Sequence, residues 1–428
     1  MKNIYLDYNK LFKLKKVLIW GLGLTGGGVA TAKYFAKNPN CKVLITDLKD
    51  KTQLKTSLKK LVKYKNISYR LGKHLIKDFR WADLIVKNPA IPWNHPLINK
   101  IQKMKKPITS DTMIFFSQNP AFTIGITGTK GKSSAASILT KILRLKLKVW
   151  HCGNSGYPFL KILERIKPDD LVIAELSSFQ LEDLHQIKRS PQIAIFLNFF
   201  EDHLNRYSDM NEYFKAKSSI FCYQQPADLL IYNSADKFLV NQLKKYQIYS
   251  KVKPLSSKNP SIDLTIACAK EFHFSLDFLS KITKNLRPLP FRLEPIRKYK
   301  NRTFINDSCS TNPTSTLFGL NRISKKIILI CGGEDKNLSY QKLVNFLNYS
   351  KKIKEIILLP GTASSKIKTK FKRRFIEVNN LKDAIKISFQ YSRPGEVILF
   401  SPAAASFGLF KNEFDRGKRF NQLIKALK

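Results

Sequence analysis

Residues 123–134 read TIGITGTKGKSS. A short apolar, β-prone run (Phe122, Ile124, Ile126) feeds a glycine-rich turn. From Ser133 onward, Ile138, Leu139, Ile142 and Leu143 recur at the spacing of one buried helical face. Strand, glycine loop, Gly-Lys-Ser and helix, in that order, make a phosphate cradle: the glycines let backbone N–H groups turn inward at a helix N-terminus, where the helix dipole favours negative charge. The spacing assigns Gly128, Thr129, Lys130, Gly131, Lys132, Ser133 and Ser134 to a nucleotide triphosphate, with Lys132 on the β/γ-phosphates and the Ser133 hydroxyl on Mg²⁺. Ile126 stands where the general motif has its first glycine, so the form here is the narrower G-T-x-G-K-S.

Working outward, the 428 residues suggest two to four domains, and a hydrophobic content of 43% is enough to build their cores. No apolar run reaches the roughly 18 residues of a membrane span. The N-terminus lacks the apolar segment and small-residue cleavage site of a secretory signal. Six scattered cysteines without a C-x-x-C pair point to a reduced, cytoplasmic protein. The net charge of +45 raises nucleic acid as a partner, but the lysines are spread along the chain with no basic tail or aromatic-interleaved block. With the abundant Ile and Asn, this resembles codon drift in an AT-rich genome. The expectation is a monomer with no specific nucleic-acid partner.

Before the cradle, the strand KVLIW (Lys16–Trp20) runs into GLGLTG, where Gly21, Gly23 and Gly26 satisfy G-x-G-x-x-G. KVLITD then ends in Asp47, at the distance expected of a residue that meets a ribose. A nucleotide diphosphate held at the Gly23–Gly26 turn is the physical reading. After the cradle, LVIAEL places Glu175 at a strand's C-terminal end, and IAIFLN leads into FFEDHLNRY with Glu201, Asp202 and His203 at the same edge. In open α/β sheets that edge faces the ligand, and a magnesium nucleotide needs hard oxygen ligands there. DLLIYN continues the alternation, and RPLPFRLEP marks a boundary. TFINDS, KIILICGG, EIILL and EVILFS then form a further α/β unit. The expected class is α/β in three domains. Residues 1–111 form a Rossmann-like N-terminal domain, 112–287 a central P-loop-type domain with a mostly parallel sheet, and 288–428 a Rossmann-like C-terminal domain.

The segments GLGLTG, GITGTKGKSS, GNSGYP, ELSSFQLE, NFFEDHLNRY with the lysine that follows, NDSCSTNP, GGEDK and SPAAASFGLFKNEFDRG, in this order, resemble those of the Mur ligase family over essentially the whole chain. GLGLTG with ELSSFQLE, and no D-N-P-R segment, is similar to the D-glutamate-adding branch. The resemblance implies an ATP-dependent amide ligase of peptidoglycan precursor synthesis, and so of cell-wall biogenesis, cell shape and division. Its substrates would be UDP-N-acetylmuramoyl-L-alanine and D-glutamate, and it would use two Mg²⁺. The alternative is another Mur or folylpolyglutamate-type amide ligase, or a non-catalytic nucleotide-binding relative.

Residue by residue, the resemblance implies Lys132, Glu175, His203 and Lys217 as the catalytic set, with Ser133, Glu175, His203 and Lys217 holding metal and Lys217 carrying a carbamate. Leu24, Thr25, Gly26, Asp47 and Asn154 would hold the UDP-linked substrate, Arg292 and Asp307 the nucleotide, and Lys336 and Ser406 the D-glutamate carboxylates. Four departures from the family pattern stand out. Cys309 replaces a lysine, Lys130 an asparagine and Asp263 an ATP-contacting asparagine, and KNEFDRG shifts its aromatic by one place.

Overall fold

The computed structural model describes residues 6–24, 26–284, 288–406 and 408–427. Its strands form three sheets. The first holds β1 (Lys16–Trp20), β2 (Lys42–Asp47), β3 (Ile67–Leu71), β4 (Leu84–Lys87) and β5 (Ile108–Thr109), all parallel, in the order β3-β2-β1-β4-β5. The second holds β6 (Phe122–Thr127), β7 (Val149–Gly153), β8 (Leu171–Glu175), β9 (Ile193–Phe196), β10 (Leu229–Asn233) and β11 (Lys251–Leu255), again all parallel, in the order β11-β10-β9-β6-β8-β7. The third holds β12 (Glu294–Tyr299), β13 (Arg302–Asn306), β14 (Ile327–Gly332), β15 (Ile353–Leu359), β16 (Ile376–Glu377) and β17 (Val397–Phe400), in the order β12-β13-β17-β14-β15-β16. It is mixed, because β12 runs antiparallel to β13.

The chain divides into two compact units, Met1–Phe199 with Phe214–Lys284, and Phe200–Tyr213 with Asn285–Lys428. The first contains the two all-parallel sheets and the second the mixed one.

Every interior strand was expected from the apolar pattern. The six strands that were not expected (β3, β5, β7, β11, β12 and β16) are the outer strands of the three sheets. Interior strands such as β8 and β14 are buried at every residue, which requires an unbroken apolar run. An outer strand is half solvated: β11 reads KVKPL and buries none of its residues fully. Proline gives the same message. Pro254 lies in β11 and Pro295, from the segment expected as a linker, lies in β12, both at edges where a missing ladder donor is tolerated.

In the second sheet, the helix Lys132–Leu143 buries Ala135, Ala136, Leu139, Ile142 and Leu143 against Ile124, Ile126 and Ile173. Ile138, expected on the buried face, packs at its margin. All six cysteines are free thiols. No helix among the described residues is long and apolar enough to cross a membrane.

Candidate functional site

β6 delivers the chain into Gly128–Gly131, and Gly131 takes a left-handed conformation (φ 86°) as the helix N-cap. A Cβ there would stand 2.3 Å from the Ser261 hydroxyl, so any other residue would have to adopt a strained left-handed backbone and push that hydroxyl aside. The loop is fastened from the end of β9. Asn198 accepts from Thr129 N–H through its carbonyl (3.0 Å) and from Lys130 N–H through Oδ1 (3.0 Å), and its Nδ2 donates to the Lys130 carbonyl (3.0 Å). Sequence reasoning passed over Asn198. Its signal was a polar residue ending an apolar strand just beside the cradle.

Four of the expected residues converge here. Lys132 Nζ donates to the carbonyls of Gly128 (2.8 Å) and Thr129 (3.1 Å). Lys217, buried on the helix Met210–Ser218, donates to the same Gly128 carbonyl (3.2 Å) and to Thr127 Oγ1 (3.4 Å). Ser133 Oγ donates to Glu175 Oε1 (3.2 Å). Glu175, at the end of β8 and buried, also accepts from Asn154 Nδ2 (2.9 Å) and from the Ser155 hydroxyl, which in turn meets His151 Nε2 (3.0 Å). Burial holds His151 below the usual histidine range, so it is neutral at pH 7. Asn154, expected on the sugar substrate, therefore also orients the acid. Ser155 and His151 were not expected, because GNSGYP alone does not say which of its side chains turns toward β8. Ser134 lies in the first turn of the helix.

The Ser133–Glu175 pair fits a magnesium ion. Two neighbouring ligands of an octahedral ion at about 2.1 Å stand about 3.0 Å apart, close to the separation found. Among the described residues no group of three His, Cys, Asp or Glu could enclose a metal. A single buried carboxylate beside a hydroxyl suits Mg²⁺, which takes one or two carboxylates and fills its remaining positions with phosphate and water. Asp263, in the first turn of the helix Pro260–Lys270, accepts from Ser257 Oγ (2.6 Å), while Ser261 on the same turn donates to the Gly131 carbonyl (3.3 Å).

At the first sheet, Gly26 caps the helix Gly27–Ala36 in a left-handed conformation (φ 100°) and Leu24 is exposed. Thr25 lies outside the described residues. Asp47 is buried, and differs from the expectation of a residue turned toward a ribose. Its Oδ2 accepts from the N–H groups of Leu22 (2.8 Å) and Gly23 (3.0 Å), and its Oδ1 from that of Lys49 (2.9 Å). The carboxylate is thus spent on shaping the glycine loop. The tightest backbone approach falls at Gly28, outside the fingerprint, where a Cβ would come within 2.2 Å of the Leu22 carbonyl oxygen.

His203, Arg292, Asp307, Lys336 and Ser406 belong to the second unit. There Asp202 is the hub. It is buried, accepts from Asn312 Nδ2 (2.9 Å), and lies 3.8 Å from Lys336 Nζ and 3.9 Å from His203 Nε2. His203 has a left-handed backbone (φ 57°) and Lys336 also reaches Thr311 Oγ1 (3.2 Å). A backbone bridge between Glu334 and Ala405 sets the segments of Lys336 and Ser406 side by side. Asp307 accepts from Leu293 N–H (3.1 Å), Ser310 Oγ (2.6 Å) and Ser401 Oγ (2.8 Å). Burial nevertheless pushes its pKa up to about 6, with the hydrogen bonds and the charge of Arg292 opposing. Cys309 is buried, and its N–H donates to the Phe291 carbonyl (3.0 Å). Beside it lies Arg416, fully buried. Its guanidinium donates to Ser308 Oγ (3.1 Å), the Ser308 carbonyl (2.8 Å) and the Ala404 carbonyl (3.1 Å). Arg416 thus ties NDSCS to SPAAAS. Its place in KNEFDRG carried no sign of burial.

Residues 126–287 match the Mur ligase middle domain, and residues 15–110 the Mur ligase MurD-like N-terminal domain. The chain is 34% identical to the UDP-N-acetylmuramoylalanine–D-glutamate ligase of Borreliella afzelii, over 96% of this chain and 97% of that one. It is 30% identical to the ligase of the same name from Clostridium tetani over the full length of both, and 31% identical to that of Clostridioides difficile over 97% and 99%. Among solved structures, the UDP-N-acetylmuramate-alanine ligase MurC from Thermotoga maritima superposes with a TM-score of 0.62 at 16% identity, covering 97% of this chain and 100% of that one. The MurF ligase of the same organism, in complex with ADP, gives 0.60 at 13% identity over 90% and 96%. At these identities the structural likeness bears on the fold alone.

Proposed function

Since this chain belongs to the Mur ligase family, we propose that it is the ATP-dependent ligase that joins D-glutamate to UDP-N-acetylmuramoyl-L-alanine. The observation that carries the reading is the meeting of Lys132, Ser133, Glu175 and Lys217 around the Gly128–Ser133 loop. A carboxylate is a poor acyl donor, and phosphorylation supplies the leaving group it lacks. The alanyl carboxylate attacks the γ-phosphorus of ATP in line, ADP departs, and an acyl phosphate results. The amine of D-glutamate then attacks the acyl carbon, and inorganic phosphate leaves through a tetrahedral intermediate. Magnesium, when bound, neutralises charge that develops on the phosphoryl oxygens.

Within this chemistry the loop N–H groups cradle the phosphates and Lys132 follows the γ-phosphoryl group. Ser133 and Glu175 hold one Mg²⁺ while Asn154 and Ser155 fix the carboxylate's orientation, and His203 serves a second metal. Lys217 carries a carbamate. Two ammonium groups sharing one carbonyl oxygen repel each other, and carbamylation of Lys217 turns that pair into opposite charges. Leu24, Thr25, Gly26 and Asn154 receive the UDP-linked substrate, with Asp47 setting the loop. Arg292 and Asp307 reach the nucleotide, and Lys336 and Ser406 take the D-glutamate carboxylates. The working protein is a cytoplasmic monomer, with lobes at 1–111, 112–287 and 288–428.

The test is phosphate release on mixing the protein with ATP, Mg²⁺, UDP-N-acetylmuramoyl-L-alanine and D-glutamate. Release that needs all four supports the reading, whereas release no greater than without D-glutamate overturns it. A panel of amino acids and acceptors separates this ligase from other members of the family.

A further inference from the structure

Within the first unit, a cavity of about 910 Å³ opens beside the outer strand β5, between the helix Pro96–Lys103 and the C-terminal end of the helix Ser178–Ile187. None of the residues placed above on ATP, metal or the UDP-linked substrate lines it. Its size is that of a pocket enclosing one small organic molecule. Trp93, Ile108 and Met113 give it an apolar wall, and Lys103, Lys106, Lys188 and Arg189 give it four cations.

Two features make this more than a crevice with surface lysines. The indole is locked in place: Trp93 Nε1 donates to Asp183 Oδ1 (2.8 Å), and Lys87 Nζ lies 4.7 Å from the ring centre while pairing with the same Asp183 oxygen (2.6 Å). Lys87 and Asp183 are both fully buried, so the aromatic wall is held by a network with no solvent to loosen it. The charge is also uncompensated. The one carboxylate in the lining, Asp7, is paired with Lys10 (3.0 Å), and none of the four cations makes an ion pair among the described residues.

A fixed aromatic face with aliphatic neighbours and a surplus of three or more positive charges selects for an anion that carries an apolar ring. We propose that this cavity is a binding site for a ring-bearing organic anion, separate from the nucleotide and substrate sites.

The experiment is a fluorescence titration of the full chain with 8-anilinonaphthalene-1-sulfonate, a ring-bearing sulfonate, in the presence of saturating ATP, Mg²⁺ and UDP-N-acetylmuramoyl-L-alanine without D-glutamate. One equivalent should bind saturably. Lys188→Glu with Arg189→Glu, and independently Lys103→Glu with Lys106→Glu, should each weaken binding at least tenfold. Lys55→Glu with Lys59→Glu makes the same change in net charge on an exposed helix that does not line the cavity, and should leave affinity unchanged. With all substrates added and no dye, every pair should turn over at the wild-type rate. Equal weakening by all three pairs, non-saturating uptake, or loss of binding when the substrates are added would overturn the proposal. Phosphate release is read separately, so the ligase assignment stands or falls independently of this site.

Discussion

Glu175 is where several side chains act through one. It takes hydrogen bonds from Ser133, Asn154 and Ser155, and its charge is what a metal would use. Glu175→Gln keeps the volume and removes the charge, so turnover should fall at least a hundredfold, as it should for Glu175→Ala and Lys132→Ala. Thermal midpoints should move little for the Gln variant. Normal phosphate-release rates in any of the three would remove that residue from the chemistry. Asp307 offers a second test. Its folded pKa of about 6 lies above the ordinary 3.8, so between these values the folded chain holds more protons than the unfolded one. Stability therefore falls as pH rises through that window and stays lower above it, by on the order of 2–3 kcal/mol. In denaturant titrations at pH 4 and pH 7.5, Asp307→Asn should lose this dependence and be no less stable than wild type at pH 7.5. It should also release phosphate more slowly. Cys309 stands where the family resemblance leads one to expect a lysine, and the buried Arg416 beside it, whose guanidinium donates to Ser308 Oγ and to the Ser308 and Ala404 carbonyls, places a positive charge close to that position. Burial lowers its pKa to about 10, so it is still charged at neutral pH.

At the level of elements, the Lys87–Asp183 pair decides how the end of β4 and the helix Ser178–Ile187 hold together. One Asp183 oxygen takes both Lys87 and Trp93, and the other, Oδ2, is buried with no hydrogen-bond partner among the described residues. A buried pair is often of little net value against an apolar substitute, but half a pair is costly. Lys87→Met alone should cost about 3–5 kcal/mol in urea unfolding. Lys87→Met combined with Asp183→Leu should recover most of that loss, and a strictly additive double variant would contradict the argument. Periodicity and strand-end position made the interior strands, the phosphate loop and Glu175 legible in the sequence. The outer strands were not, since half-solvated KVKPL and ISYRL carry no apolar signature. Asp47, Asn198 and Ser155 show a related limit: Asp47 was expected at a ligand edge and the other two were not singled out, because which backbone donor or carboxylate each meets depends on contacts across the sheet.

For the whole molecule, the charge of +45 is a field, not a fold. Binding to a polyanion such as duplex DNA should show no sequence preference and fall steeply between about 50 and 200 mM salt. A filter-binding series checks this, and salt-resistant, sequence-dependent retention would point to a real nucleic-acid site. The third sheet has a different consequence. Its strand β17 lies between β13 and β14, although nearly a hundred residues separate it from the first of these in the chain. During synthesis, β13 and β14 must therefore wait on the ribosome with a gap between them until Val397–Phe400 has emerged. A nascent chain stalled before that point leaves β13 and β14 each with an unpaired edge, the kind of edge on which strands of other chains can add.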